Sequence, residues 1–253
     1  MRKLSINFML LAFVSVSHLY AQDLSGVVNQ NDRLPSAAIS SRVVAEWKQA
    51  GALVGWLVLS EKGKWHYLKS QPKKVQSLPV FVWRSYTPNV LSTLAKPTVP
   101  FAISFGATKL NNRGLVELTR FKQLRALDIS HTKITNSGIK QLAALKNLHS
   151  LDLGASTITD AGLKHVGRLS NIQRLYFGST AVSDSGIKAL KKLKKLKILY
   201  LYNTKVSDRS LKYVAKMRGL QSILLVKTGV TKRGVSKLYR KRPKLRIWFI
   251  VSK

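Results

Sequence analysis

The chain has 253 residues, of which 44 are lysine or arginine and 10 are aspartate or glutamate, so its formal net charge at pH 7 is +34. It contains no cysteine, which excludes disulfide bonds and attachment through a lipidated cysteine but does not contradict export.

Residues 1–21 predict a secretory signal peptide. Arg2 and Lys3 precede an apolar stretch at residues 8–14, the order in which such a peptide is built. A membrane anchor is the alternative, but the apolar stretch is shorter than the roughly 20 residues that a membrane-spanning helix needs. Leu19 is unfavourable three residues before the cleavage site. We expect an exported protein, secreted or periplasmic, that is soluble or peripherally attached.

Residues 22–40 are polar and predict a linker, after which the pattern becomes helical. Val43, Val44 and Trp47 share one face of a helix that Gly51 can end. Two further apolar segments flank the sequence Glu-Lys-Gly in the pattern of a β-hairpin.

From residue 79 onward the chain has the periodic pattern of stacked repeats described below, and such a solenoid leaves the core of its first repeat open unless another element covers it. We therefore expect residues 41–78 to form an N-terminal cap, a helix plus a hairpin, that contains Trp47, Trp56 and Trp65. A separate ligand-binding role for these tryptophans is the alternative.

Apolar residues recur every 24 positions through the rest of the chain, without insertion or deletion. One such column consists of Ile103, Leu127, Leu151, Leu175, Leu199, Ile223 and Ile247. A strict period of this kind indicates stacked repeats. We expect a degenerate first repeat at residues 79–99, six regular repeats at 100–243 and a closing strand at 244–251.

Each repeat predicts one strand and one helix. Leu151 and Leu153 alternate as in a strand, and from Leu163 to Leu169 apolar residues recur every three positions, as on one helix face. A column of hydroxyl residues is expected to cap the helices: Thr135, Thr159, Ser183, Ser207 and Thr231. The aspartates that follow, Asp160, Asp184 and Asp208, suit the positive end of the helix dipole.

This layout resembles the leucine-rich repeat proteins, specifically the ribonuclease-inhibitor-like type with the consensus L-x-x-L-x-L-x-x-T-x-I-T-D-x-G-L. Residues 179–187 and 203–208 are close copies, and the resemblance covers about residues 79–253. It implies an α/β fold, a curved right-handed β-α superhelix with a concave parallel sheet and convex helices. After each strand stands a hydroxyl residue that we expect to bond to the turn backbone: Thr108, Thr132, Ser156, Thr180, Thr204 and Thr228.

Residues between the buried leucines should face the concave side, where the column changes from small and acidic to aromatic. Aromatic residues exposed on a rigid sheet are typical of binding hot spots. The candidate partner-binding residues are Asp128, Asp152, Arg174, Tyr176, Tyr200, Tyr202, Leu224 and Trp248. An alternative for Trp248 and Ile250 is that they only close the C-terminal end.

Positive charge is concentrated near the C-terminus, where residues 186–253 contain 21 lysines and arginines and one acidic residue. The candidate anion-binding residues on the helical side are Lys191, Lys192, Lys194, Lys195, Lys237, Arg240, Lys241 and Arg242. Either this is a solvated face, or it binds an anionic cell-envelope polymer or membrane surface. Nucleic acid outside the cell is the least favoured partner.

Catalytic patterns are weak. The histidines have no metal-binding spacing, no glycine-rich phosphate loop is present, and two Ser-x-x-Lys matches, at residues 137–140 and 185–188, arise from the repeat consensus. We expect no enzyme activity, cofactor or metal. The chain is interpreted as a secreted recognition protein that binds a protein or peptide on its concave face. The alternative is a binder of anionic envelope polymers or membranes through its basic C-terminal half.

Overall fold

The computed structural model describes residues 39–59, 65–72 and 77–250. The signal peptide expected at residues 1–21 and all but the end of the linker lie outside the described residues, as does the side chain of Trp65. No helix in the described ranges is long and apolar enough to cross a bilayer.

The described strands form one sheet. They are β1 (Leu53–Leu59), β2 (Trp65–Leu68), β3 (Ser77–Val82), β4 (Phe101–Ser104), β5 (Leu124–Asp128), β6 (Ser150–Asp152), β7 (Arg174–Tyr176), β8 (Ile198–Tyr200), β9 (Ser222–Leu224) and β10 (Arg246–Trp248). Strands β3 to β10 are parallel and lie in chain order, whereas β1 runs antiparallel to both β2 and β3. Leu151 pairs with Leu175 and Leu175 with Leu199, so each repeat adds one strand in the same register.

Helices connect the parallel strands and pack against one another along the convex side. They follow the N-terminal helix α1 (Ser41–Gln49) and are α2 (Val90–Thr93), α3 (Asn112–Leu118), α4 (Asn136–Ile139), α5 (Asp160–Val166), α6 (Asp184–Leu190), α7 (Asp208–Val214) and α8 (Lys232–Lys241). A 3₁₀-helix at Lys140–Ala144 continues α4. The α/β solenoid that the repeat pattern predicts is therefore confirmed.

The core lies between the sheet and the convex helices. Leu151, Leu175 and Leu199 are completely buried in line, as the period predicts, and Leu163 and Val166 of α5 meet them from the helical side. A smaller buried cluster lies on the other face of the sheet near its N-terminal end, formed by Leu57, Leu78, Val80, Ala102 and Ala126.

The predicted hydroxyl ladder is confirmed. Each hydroxyl donates a hydrogen bond, at 2.6–2.8 Å, to the carbonyl oxygen three residues earlier. Immediately before each hydroxyl residue the backbone turns through the left-handed region, with φ between 48° and 59°. The residues at this turn are Ala107, His131, Ala155, Ser179, Asn203 and Lys227. None is glycine, so the neighbouring repeat must stabilise a conformation that L-residues rarely adopt.

Capping of the helices differs partly from the prediction. The hydroxyls of Thr159, Ser207 and Thr231 accept hydrogen bonds from the first helical turn. Thr135 and Ser183 form no such bond, although their hydroxyls, like the other three, contact a side chain of the preceding repeat. The hydroxyl column therefore serves two purposes, helix capping and contact between repeats.

The N-terminal helix covers the start of the core through Trp47. Its indole is fully buried, 4.1 Å from the ring centroid of Phe81 and 5.1 Å from that of Phe121. The indole N–H donates to the carbonyl of Ala95 at 2.9 Å. The helix ends before Gly51, whose φ of 95° suits glycine. Trp56 lies in β1, half-buried.

Candidate functional site

The concave side of the sheet carries one row of side chains that crosses neighbouring strands in register. Asp128 pairs with Asp152, Asp152 with Tyr176, and Tyr176 with Tyr200. Leu224 and Trp248 extend the same row on β9 and β10. Neighbouring strands lie about 4.8 Å apart, so these side chains form a continuous surface.

Asp128 is buried within this row. Its carboxylate oxygens accept hydrogen bonds from the hydroxyl of Ser104 at 2.7 Å and from the hydroxyl and N–H of Ser130 at 2.7 and 3.0 Å. Burial raises the pKa of Asp128, and the serine hydrogen bonds oppose that shift. With both oxygens bonded internally, Asp128 stabilises the sheet and does not present a free carboxylate to a partner.

Asp152 occupies the equivalent position one repeat later but in different surroundings. Gly154 stands where Ser130 stands one repeat earlier, so the Asp152 carboxylate accepts the backbone N–H of Gly154 at 2.8 Å but no hydroxyl from that position. Burial raises the pKa of Asp152 to about 8, and the charge of Asp128 acts in the same direction. Burial therefore favours the protonated form of Asp152, which can donate a hydrogen bond.

The aromatic part of the row begins at Tyr176. Its ring meets that of Tyr200 edge to face, with the ring centroids 4.9 Å apart, and both side chains are partly exposed. Burial raises the pKa of Tyr200 to about 12, so its hydroxyl stays neutral. Tyr202 lies on the adjacent column, partly exposed, with the Lys227 ammonium 5.5 Å from its ring centroid.

The remaining predicted concave residues are less accessible than the sequence suggests. Arg174 and Leu224 are buried. Trp248 is partly exposed on the last described strand, yet its indole nitrogen is buried without a hydrogen-bond partner among the described residues. The partly exposed members of the predicted set are thus Asp152, the three tyrosines and Trp248.

Most of the predicted basic residues lie on the surface. Lys191, Lys192, Lys194, Lys195, Lys237, Arg240 and Lys241 are exposed. Arg242 is different, because its guanidinium donates to backbone carbonyls of the preceding repeat, those of Met217 at 2.7 Å and Leu220 at 2.8 Å. Arg242 was expected on the anion-binding face, but its donors are used within the solenoid, so it joins two repeats.

The residues that matched a catalytic pattern have structural partners. The hydroxyl of Ser137 accepts a hydrogen bond from the Asn112 amide at 3.1 Å, and the hydroxyl of Ser185 donates to the carboxylate of Asp160. Within the described ranges, no three histidine, aspartate or glutamate side chains are grouped as a metal site would require.

A family model described as a leucine-rich repeat matches residues 123–143 and 144–166. Among solved structures, internalin C2 of Listeria monocytogenes is 23% identical, with a TM-score of 0.51, covering 65% of this chain and 66% of that protein. Another internalin of the same organism is 23% identical, with a TM-score of 0.49, covering 60% of this chain and 41% of its own. A comparison with curated proteins finds no match. The fold is thus a leucine-rich repeat solenoid, and the chain spans less than two thirds of either internalin.

Proposed function

We propose that this leucine-rich repeat protein is a non-enzymatic recognition module that binds a protein or peptide on the concave face of its sheet. The observation that carries the proposal is the group formed by Tyr176, Tyr200 and Tyr202, hereafter the tyrosine cluster. Tyr176 and Tyr200 are partly exposed on the neighbouring strands β7 and β8, with their rings in contact, and Tyr202 is partly exposed in the turn that follows β8.

The tyrosine cluster has the properties of a binding hot spot. Tyrosine adds a large contact area at a small entropic cost, because it has only two side-chain torsions to restrict. The edge-to-face packing of Tyr176 on Tyr200 holds the rings in place before a partner arrives. Such preorganised aromatic surfaces contribute a large share of binding energy in protein interfaces.

The surroundings of the cluster favour a partner segment that has exposed backbone carbonyls and no charged side chains. Asp152, whose protonated form burial favours, stands beside Tyr176 in register and can donate to a peptide carbonyl, as can the hydroxyls of Tyr176 and Tyr200. Because Asp128 is buried and saturated, it adds no exposed negative charge that would require a basic partner. A peptide or protein loop with aromatic or aliphatic side chains between exposed carbonyls meets these conditions.

We also propose that the protein is exported and that its repeats are of the ribonuclease-inhibitor-like type. The pattern of residues 1–21 supports secretion or a periplasmic location. The seven-residue convex helices of α5, α6 and α7 support the ribonuclease-inhibitor-like type.

The test is a pull-down with residues 22–253 as bait, using extracts of the source organism at low and high salt. One variant replaces the tyrosine cluster by alanine. A control replaces Tyr213 and Tyr239, which belong to the convex helices α7 and α8. Partners retained at high salt by the native protein and the control, but lost by the cluster variant, would support the proposal. Equal capture by the cluster variant would contradict it, provided that all proteins melt at similar temperatures.

A further inference from the structure

The ends of the convex helices carry positive charge repeat after repeat. Exposed lysines and arginines occupy the last helical turn or the loop that follows it, from the end of the 3₁₀-helix to α8. We name this set the basic edge; it comprises Lys146, Arg168, Lys191, Lys192, Lys194, Lys195, Lys216, Arg218, Arg240 and Lys241.

Among the described residues, no carboxylate pairs with the basic edge. Residues 119–250 contain five aspartates and no glutamate, and of these Asp128 and Asp152 lie in strands. The other three are Asp160, Asp184 and Asp208, each the first residue of its helix. A seven-residue helix is about 10 Å long, which exceeds the screening length of about 8 Å at physiological ionic strength. The aspartates therefore leave most of the charge at the other end uncompensated.

One column of the basic edge forms a line of free cations. Arg168, Lys192, Lys216 and Arg240 stand 24 residues apart and are all exposed. Among the described residues, none of their side chains has a hydrogen-bond partner, whereas Lys195 donates to Asn171 at 2.7 Å. Packed helices lie about 8–10 Å apart, so the line advances by that distance with each repeat.

We propose that the basic edge binds a linear polyanion that carries phosphate groups and runs across successive repeats. A single polymer strand with one charge about every 3.4 Å places two to three anionic groups on each repeat. Each of the last three regular repeats contributes at least two cations of the basic edge. Unpaired like charges in a row are stabilised by such a partner and are otherwise unfavourable.

A membrane surface fits the same residues less well. Stable attachment to a bilayer needs an apolar group that inserts, in addition to a polybasic patch. Leu169, Leu193 and Met217, at the ends of three of these helices, are buried in the core, and only Tyr239, next to Arg240, is a large hydrophobic side chain exposed among the described residues of the basic edge. A single tyrosine at one end of the line gives little apolar area to insert, which favours a soluble or wall-bound polymer.

The inference is independent of the proposed function, because the basic edge and the tyrosine cluster belong to different layers of the solenoid. Replacement of the tyrosine cluster should leave polyanion binding unchanged, and replacement of the basic edge should leave binding of the protein or peptide partner unchanged. Failure of one proposal therefore does not contradict the other.

The experiment measures the affinity of the protein for inorganic polyphosphate, as long chains and as chains too short to span one repeat. The test variant changes Arg168, Lys192, Lys216 and Arg240 to glutamine. A matched control changes four exposed cations near the helix N-termini, in the preceding loops or the first turn. They are Lys133, Lys205, Arg209 and Arg233. Both variants lose four positive charges, so any difference in their affinity for polyphosphate depends on where those charges lie.

We expect the native protein to bind long chains more tightly than short ones at equal phosphate concentration. The test variant should bind about tenfold more weakly or worse, and the slope of log affinity against log salt should decrease by about 3. The control should retain its affinity within about threefold. Equal losses in the two variants, no dependence on chain length, or no binding at physiological ionic strength would each overturn the proposal. Tighter binding to phosphatidylserine vesicles than to polyphosphate, lost in the test variant, would replace the polymer by a membrane.

Discussion

The carboxylate of Asp160 accepts two hydrogen bonds from Ser183, one from its backbone N–H at 2.8 Å and one from its hydroxyl at 2.5 Å. Asp160 is the first residue of α5, and Ser183, 23 positions later, directly precedes α6. Burial alone would raise the pKa of Asp160, but the hydrogen bonds from Ser183 and Ser185 outweigh it and lower that pKa. The next repeats contain the same link, from Asp184 to Ser207 and from Asp208 to Thr231.

Replacing Asp160 by alanine should reduce the free energy of unfolding by about 1.5–3 kcal/mol, since hydrogen bonds to a charged group are lost. Replacing Asp160 by asparagine should reduce the free energy of unfolding by less than half of that amount. Asn136 shows why, because its amide oxygen accepts the N–H of Thr159 at 3.0 Å and its amide nitrogen donates to the Thr159 hydroxyl at 2.9 Å. Urea denaturation of the two variants measures the difference, and equal losses would contradict a role for these hydrogen bonds.

Gly186→Ala should destabilise the protein, although alanine is normally favoured over glycine in a helix by about 1 kcal/mol. A Cβ atom at this position would lie 2.4 Å from a carboxylate oxygen of Asp160, so the link between repeats must shift. We expect a net loss of about 1–3 kcal/mol. Gly178→Ala is the control, since its nearest neighbour would be 3.6 Å away. If the free energy of unfolding of the Gly186→Ala variant equals that of the native protein, the Asp160 carboxylate can move away from the added Cβ without loss of stability, and the prediction is wrong.

Trp47→Ala should cost about 3–5 kcal/mol, because it leaves a large cavity beside Phe81 and Phe121. Trp47→Phe should cost less but should still lose the hydrogen bond to Ala95. Val116→Ala, at a side chain that is 49% exposed, provides the surface control. The role of residues 41–78 as a cap remains a prediction, which thermal melting tests. A Trp47→Ala protein with the melting temperature of the native protein would contradict it.

Stability should fall with rising pH in a manner that depends on Asp152. The pKa of this carboxyl is raised by burial in the folded protein from its ordinary value of 3.8 to about 8. Between those values the folded state holds a proton that the unfolded chain has released, so the stabilisation present at low pH is lost as pH rises through about 8. Asp152→Asn cannot titrate. The melting temperature of the native protein relative to this variant should therefore decrease from about pH 4 to about pH 8. A constant difference would contradict the raised pKa.

The repeat pattern alone determined the fold and much of its local structure. The 24-residue columns of leucine and isoleucine placed Leu151, Leu175 and Leu199 in one buried line. The hydroxyl column likewise predicted the turn hydrogen bonds. These features depend on interactions within one repeat or on identical residues of the next repeat, so a periodic sequence contains the information.

The roles of the polar residues were decided by the tertiary structure. Asp128 and Asp152 occupy equivalent positions, yet serines surround the first and a glycine follows the second. Arg242 resembles its basic neighbours in sequence but reaches the backbone of the preceding repeat. A polar side chain takes whichever partner the adjacent repeat brings within hydrogen-bond distance, and that partner is 22 to 25 residues away along the chain. Periodicity predicts which residues are adjacent, but only the three-dimensional packing shows which of their polar atoms meet.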